Sequence, residues 1–222
     1  MLLYLVKHSR PDIANAVREC TKVLDGATMY AYRGMMRIIK YVLHTSDYGL
    51  RISPIFKKNE PWDLVCYSDS DYAGDDDTRR SVSGFILYVC EVPISWRSKA
   101  QRSVTLSSSE AEWVALSKAV KEVMFVSQLL TSMKVTVRYP IIVRVDNVGA
   151  IFMAQNVTTM SSTKHVDIRY KFVNKYVEDG TVKIIFVKSK ENDADIFTKN
   201  LNGELHAKHP LKFVKKKCLG KE

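Results

Sequence analysis

The feature that most narrows the possible folds is a change of hydrophobic period after Trp62. DLVCYSD, GFILYVCEV and PISWRSKA follow one another as short apolar runs separated by turn chemistry, so they predict three antiparallel strands. TLSSSEAEWVALSKAVKEVMFVSQLLTSMK then predicts one long helix, opened by two overlapping S-x-x-E capping boxes, Ser107 with Glu110 and Ser109 with Glu112. PIIVRVDN is a continuous apolar run of the kind buried in a parallel sheet. NVGAIFMAQN follows as a helix, STKHVDIRYKFVNKYVEDG as another ended by Gly180, TVKIIFVKS as a fifth strand and ENDADIFTKNL as a last helix. The order βββαβααβα predicts an α/β domain with a five-stranded mixed sheet flanked by helices.

Upstream the period is helical. SRPDIANAVRECTKVLDG has Ser9 as an N-cap, Pro11 in the first turn, an amphipathic run and Gly26 as a stop. TMYAYRGMMRIIKYVLHTSDYGL predicts a second helix, with Met36, Ile39, Val42 and Leu43 on one face and a stop near Gly49. Joined as a hairpin, two helices do not bury both faces by themselves. PIFKKNEPW, with prolines at 54 and 61, is the expected connector. The chain therefore divides into a helical part over 1–60, an α/β domain over 61–206 and a basic tail over 207–222.

A chain of 222 residues with 46% hydrophobic content can build a full core for one ordinary domain and an appendage. MLLYLV is too short for a signal-peptide core, and no later window reaches about 18 apolar residues. No membrane partner is expected, and the protein is expected to be intracellular. Cys20, Cys66, Cys90 and Cys218 show no C-x-x-C spacing, which argues against a zinc site or a disulfide framework.

Charge is uneven along the chain. The formal net charge is +10, yet Asp63 to Asp77 holds six aspartates and no Lys or Arg, while AKHPLKFVKKKCLGKE at the end holds six lysines and one glutamate. A basic surface around an acidic focus suits a protein that holds a polyanion and binds cations at one point on it. Asp69 ends the first strand of the domain and Asp146 the fourth, and ligands in open α/β sheets collect outside the carboxyl ends of strands. The long helix supplies a third acid. At 100° per residue Glu112 continues the apolar stripe of Ala115, Leu116, Ala119, Val123, Val126 and Leu130, whereas Glu110 points elsewhere. A glutamate on a buried stripe is costly unless something pairs with it, and a cation beside Asp69 and Asp146 would do so. In ENDADIFTKNL the pattern does not choose among Glu191, Asp193 and Asp195.

DLVCYSDSDYAGD, RRSVSGF, PISWRSKAQRSVTLSSSEAEW, VRVDNVGAI, TKHVDIRY and ENDADIFTKNL, in this order, resemble the ribonuclease H region of copia-type retrotransposon polyproteins. SRPDIANAV and the helix ending in DYGL resemble the segment that links the reverse transcriptase to it, so 1–60 would be the helical remnant of that connection. The resemblance implies a ribonuclease H-like fold, an RNA/DNA hybrid as substrate, and hydrolysis of its RNA strand with two Mg2+ ions, Mn2+ being the alternative. It implies Asp69, Glu112, Asp146 and Asp195 as the catalytic, metal-holding carboxylates. Asp71 and Asp193 are candidates for support behind them, and Arg79, Arg80, Ser83, Lys99, Arg102, Asn147 and Lys164 for contact with nucleic acid. The implied partners are the hybrid and the reverse transcriptase portion of the parent polyprotein, in the cytoplasm within a virus-like particle or in the nucleus.

The chain also departs from the pattern. Cellular ribonucleases H carry a histidine in the loop before the last helix, where this chain reads KSKEN. His165 shares a helix face with Ile168, Phe172 and Tyr176, which suits packing or capping better than catalysis. No Y-x-D-D occurs, so polymerase activity is not expected, and a start inside the polymerase edge suggests a truncated element. Two further classes stand beside the nuclease. An integrase or transposase core would lack an acid at 112 and carry its last glutamate on a helix after the second aspartate; a non-catalytic remnant that only binds nucleic acid would not need the full acid set.

Overall fold

Pro11 has no N–H to leave unsatisfied, so it is tolerated in the first turn of a helix. In the computed structural model that turn is a 3-10 turn at Pro11–Ile13, between helix α1 (Leu2–His8) and helix α2 (Ala14–Thr21). The expected helix capped by Ser9 is therefore the 3-10 turn followed by α2, and Ser9 stands at the end of α1 instead. Arg10 stands before the turn, and its guanidinium grips Asp12 two residues on, at 2.8 and 2.9 Å. Helix α3 (Met29–His44) starts where Thr28 accepts a hydrogen bond from the Ala31 amide at 3.2 Å. It ends at His44, short of Gly49, because the chain turns into strand β1 (Tyr48–Leu50).

The structure describes residues 1–23, 26, 28–56, 59–75, 77–155, 164–200, 212 and 214–216, and for 164–168 and 170 the backbone alone. They form two units, Met1–Ile52 with Lys199–Glu222, and Ser53–Thr198. In the first, Ile13, Val17 and Ile38 make a small core with Leu2, Leu5, Val6, Tyr41 and Val42 around it. Strand β1 pairs antiparallel with Val214–Lys216, which lie inside the expected basic tail.

The second unit carries the sheet: β2 (Leu64–Asp71), β3 (Val82–Val89), β4 (Val92–Ala100), β5 (Ile141–Val145) and β6 (Val182–Phe186). Their spatial order is β4-β3-β2-β5-β6, antiparallel across the first three and parallel from β2 through β5 to β6. Three strands joined by tight turns can pair antiparallel, but a return to the sheet after a long helix arrives parallel. Helix α4 (Ser108–Ser132) makes that return, followed by α5 (Val148–Gln155) and α6 (Lys164–Glu178). Val214–Lys216 is strand β7.

Trp113, Leu116, Ala119, Val120 and Val123 of α4 pack with Leu64, Cys66, Phe85, Leu87, Val143 and Ile184 of the sheet. Each such aliphatic side chain contributes roughly 1.5–3 kcal/mol by leaving water, so this core fixes the rotation of α4 about its axis. Gln101, almost fully buried, ties the end of the hairpin to the helix by donating to the Ala111 carbonyl at 3.0 Å.

The expected last helix over ENDADIFTKNL does not form among the described residues. Glu191 closes a 3-10 turn at Ser189–Glu191, and Asp195–Phe197 forms another. Asn192 explains the break: its Nδ2 donates to the Ser68 carbonyl at 3.0 Å and its Oδ1 accepts from the Ala194 amide at 3.1 Å. A side chain that bonds the backbone in this way competes with helical pairing. The segment lies on β3 at Gly84, where a Cβ would stand 2.7 Å from Thr198 Cγ2 and 2.8 Å from Phe197 Cβ.

Candidate metal centre

The parallel register of β2 and β5 pairs Tyr67 with Arg144. Two residues further along each strand come Asp69 and Asp146, so the two acids stand level at neighbouring strand ends. Helix α4 brings the third. Ser107 caps it by accepting from the Glu110 amide at 3.1 Å, and Glu110 Oε2 accepts from the Leu106 amide at 2.7 Å. The second expected box, Ser109 with Glu112, does not form, because Glu112 is turned to the sheet. It is 6% exposed, and its Oε1 accepts from the Ser70 amide at 3.1 Å.

Asp69, Glu112 and Asp146 each offer a carboxylate oxygen, and these oxygens lie within 4.8 Å of one another. At about 4 Å, two full negative charges repel by roughly 4 kcal/mol at an effective dielectric of 20. The fold relieves this by protonation: burial, then the charges of Asp69 and Asp146, raise the Glu112 carboxyl to about 9. Its Oε2 is buried and has no hydrogen-bond partner. A buried oxygen without a partner inside an all-carboxylate cluster fits a hard divalent cation.

Supporting hydroxyls surround the cluster. Thr198 Oγ1 donates to Asp69 Oδ2, and it lies 3.1 Å from the Asp195 carbonyl. Ser189 donates to Asp146 Oδ2 at 2.6 Å. Asp195 itself, buried in the second 3-10 turn, is not among the three acids whose oxygens converge.

No protein-family model matches the chain. The retrovirus-related Pol polyprotein from transposon RE1 of Arabidopsis thaliana is 33% identical over 200 residues, which are 90% of this chain and 13% of that polyprotein. Over nine-tenths of its length the chain is homologous to copia-type retrotransposon Pol polyproteins. It spans about an eighth of the length of that relative. Among solved structures, the foamy viral protease-reverse transcriptase dRH in complex with double-stranded DNA aligns over 85% of this chain and 31% of its own, at a TM-score of 0.50 and 14% identity. LC11-RNase H1, isolated from compost, aligns over 61% of this chain and 92% of its own, at a TM-score of 0.47 and 16% identity. The sheet unit is an α/β domain whose five-stranded mixed sheet is flanked by helices, as expected.

Within that fold the remaining candidates separate. Asp193 is buried and accepts from the Tyr88 hydroxyl at 3.1 Å. Asp71 lies against Gly74, so its carboxylate is turned to the loop that follows β2. Asp75 closes that loop by accepting from the Thr78 amide at 2.8 Å and from its hydroxyl at 2.7 Å, and Asp76 lies outside the described residues. Arg79 and Arg80 are exposed. Asn147 caps α5 by accepting from the Ala150 amide at 3.0 Å. Ser83, Lys99 and Arg102 gather at the β3–β4 side of α4, where Ser83 is the register partner of Lys99. The side chains of Lys164 and His165, and Cys218, lie outside the described residues. Among the described residues no helix is long and apolar enough to cross a membrane.

Sequence reasoning missed Thr198, Ser189 and Lys118. The first two are small hydroxyl residues in irregular backbone, with no periodicity to mark them. Lys118 stands on the mostly buried α4, where a lysine is out of place, and that was the available signal.

Proposed function

We propose that this chain is a divalent-metal-dependent endonuclease that hydrolyses the RNA strand of RNA/DNA hybrids, as the ribonuclease H part of a copia-type Pol polyprotein. Glu112 carries the reading: it is a buried carboxylate with one unpartnered oxygen, beside two more carboxylates at strand ends. A cluster of this kind weakens the fold unless a cation joins it. The donors are all oxygen, which suits Mg2+ and Mn2+.

Asp69, Glu112 and Asp146 would hold two such ions, with Asp195 as the fourth carboxylate. When bound, the ions supply an activated water and neutralise charge at the leaving oxygen of a phosphodiester. The protein supplies orientation. The Ser70 amide holds one oxygen of Glu112 and leaves its second for a ligand, while the Thr198 hydroxyl orients Asp69 and the Ser189 hydroxyl orients Asp146. Ser189 stands in the KSKEN loop, so a hydroxyl meets Asp146 from the stretch where a histidine was expected. The hybrid and the reverse transcriptase portion of the parent polyprotein are the partners this reading assigns.

The test is cleavage of labelled RNA within RNA/DNA, RNA/RNA and DNA/DNA duplexes, with Mg2+ and with chelator. Metal-dependent cleavage of the RNA in the hybrid alone is expected. Cleavage of no duplex, or cleavage that persists in chelator, would defeat the proposal.

A further inference from the structure

Lys118 lies on α4 six residues beyond Glu112, roughly 9 Å along the helix axis. It is half-buried, and its Nζ donates to Ser83 Oγ at 3.1 Å. Ser83 also accepts from Gln101 Nε2, at 2.9 Å. The amide of Gln101 is oriented by its second bond, to the Ala111 carbonyl. A serine hydroxyl has two lone pairs and one hydrogen. Both lone pairs of Ser83 are taken by donors, and among the described residues its own O–H has no acceptor.

Four further cations act on Lys118. Lys99 is the register partner of Ser83 on β4, and Arg97 lies two residues back on the same face of that strand. Arg102 follows β4, and Arg169 comes from α6. Burial first, then Arg169, Arg97, Lys99 and Arg102, lowers the Lys118 ammonium to about 8. Among the described residues none of these five cations has a carboxylate within ion-pair distance. The nearest acid along the helix is Glu122, one turn on, and its Oε1 is engaged by the Ser95 hydroxyl at 2.8 Å. The site is thus the converse of the metal centre: cations gathered around an idle donor, with no anion.

We propose that Lys118, with Ser83, Arg97, Lys99, Arg102 and Arg169, forms a binding site for backbone phosphate of the nucleic acid. The proposal rests on nucleic acid as the ligand, as argued above, but not on its cleavage. A phosphate offers several acceptor oxygens, so it can take the Ser83 O–H and bridge the ammonium and guanidinium groups at once. The bound strand would pass from the carboxylates along the β3–β4 side of α4.

The test uses the full chain in chelator, where cleavage cannot occur, and a short labelled RNA/DNA hybrid read by fluorescence anisotropy across a salt series. Lys118→Met should weaken binding about tenfold at low salt and reduce the slope of log affinity against log salt by about one. Lys118→Arg should keep both. The Met variant should melt no lower than the wild type near pH 7, since it removes a charge crowded by like charges. Wild-type affinity and slope in Lys118→Met would overturn the site. So would an Arg variant as weak as Met, or a loss of affinity that merely follows a fall in Tm. If inorganic phosphate at the concentration of hybrid phosphate shields Lys118 from an amine reagent as well as hybrid does, the site is for free phosphate and the strand assignment falls. Hybrid that is bound with the expected slope but never cleaved with Mg2+ would sink the nuclease reading and leave this site standing.

Discussion

Asp12 in the helical unit and Glu112 in the sheet unit are both carboxylates nearly shut off from water, at 3% and 6% exposure, and they are held in opposite ways. Asp12 is saturated: Arg10 donates to both its oxygens through three bonds and the Tyr41 hydroxyl adds a fourth at 2.9 Å. Arg10 is satisfied in turn by the carbonyl and hydroxyl of Thr45. Burial, then the charge of Asp12, holds the Tyr41 hydroxyl well above its ordinary range, so it serves as a donor. Glu112 has one backbone amide, two like charges and an unpartnered oxygen. A buried acid whose partners are complete holds a fold together; one left incomplete beside other acids is a place for a ligand.

The largest effect should come from removing the charge at the incomplete site. Glu112→Gln keeps the shape but not the anion a divalent cation needs, so hybrid cleavage should fall by orders of magnitude, while Glu110→Gln, which alters only a helix cap, should cost little. Rates for both variants, measured with Mg2+, decide it; an active Glu112→Gln would erase the contrast with Asp12. At the complete site the loss should appear in stability instead. Arg10→Ala leaves Asp12 buried without its counter-charge, held by the Tyr41 hydroxyl alone, which should cost the helical unit about 3–5 kcal/mol. Urea unfolding followed by a probe in residues 1–52 checks this, and a loss below about 1 kcal/mol would mean the pair is not what holds that unit.

A smaller effect is expected where the last segment rests on the sheet. Gly84→Ala would put a Cβ 2.7 Å from Thr198 and 3.2 Å from the Ala194 carbonyl, displacing the turn that carries Asp195. Overpacking of this kind costs roughly 1–3 kcal/mol, and both Tm and cleavage rate should fall. Unchanged cleavage at a lowered Tm would argue against Asp195 as the fourth carboxylate.

A further contrast is the pH dependence of the metal-free protein. Glu112 is raised to about 9, whereas an unfolded glutamate titrates near about 4.3. The folded state therefore binds more protons between these values, and the stability contributed by the held proton is present at low pH and lost as pH rises through about 9. In chelator, the Tm of Glu112→Gln relative to wild type should climb from pH 5 to pH 9. A flat difference would show that the carboxyl is already ionised.

Much of the fold was legible before the structure because it depends on local period. The three antiparallel strands, the long helix and the parallel run PIIVRVDN all write their burial into spacing. The same spacing turned Glu112 inward and Glu110 outward, because a helix with one apolar stripe has one way to face a sheet. Other features depend on contacts between residues far apart in sequence. Asn192 reaches the carbonyl of Ser68, and that bond replaces the helix expected over ENDADIFTKNL with 3-10 turns. Thr198 reaches Asp69 only because Gly84 lets the segment approach the sheet. The division at Ile52, and the pairing of Tyr48–Leu50 with Val214–Lys216, join the two ends of the chain and leave no mark in either stretch alone. Sequence by itself determined which faces are apolar and which acids end the strands, since these follow from periods of two and 3.6 residues. Tertiary structure alone decided which polar groups found partners, since a hydrogen bond between distant residues has no period to announce it.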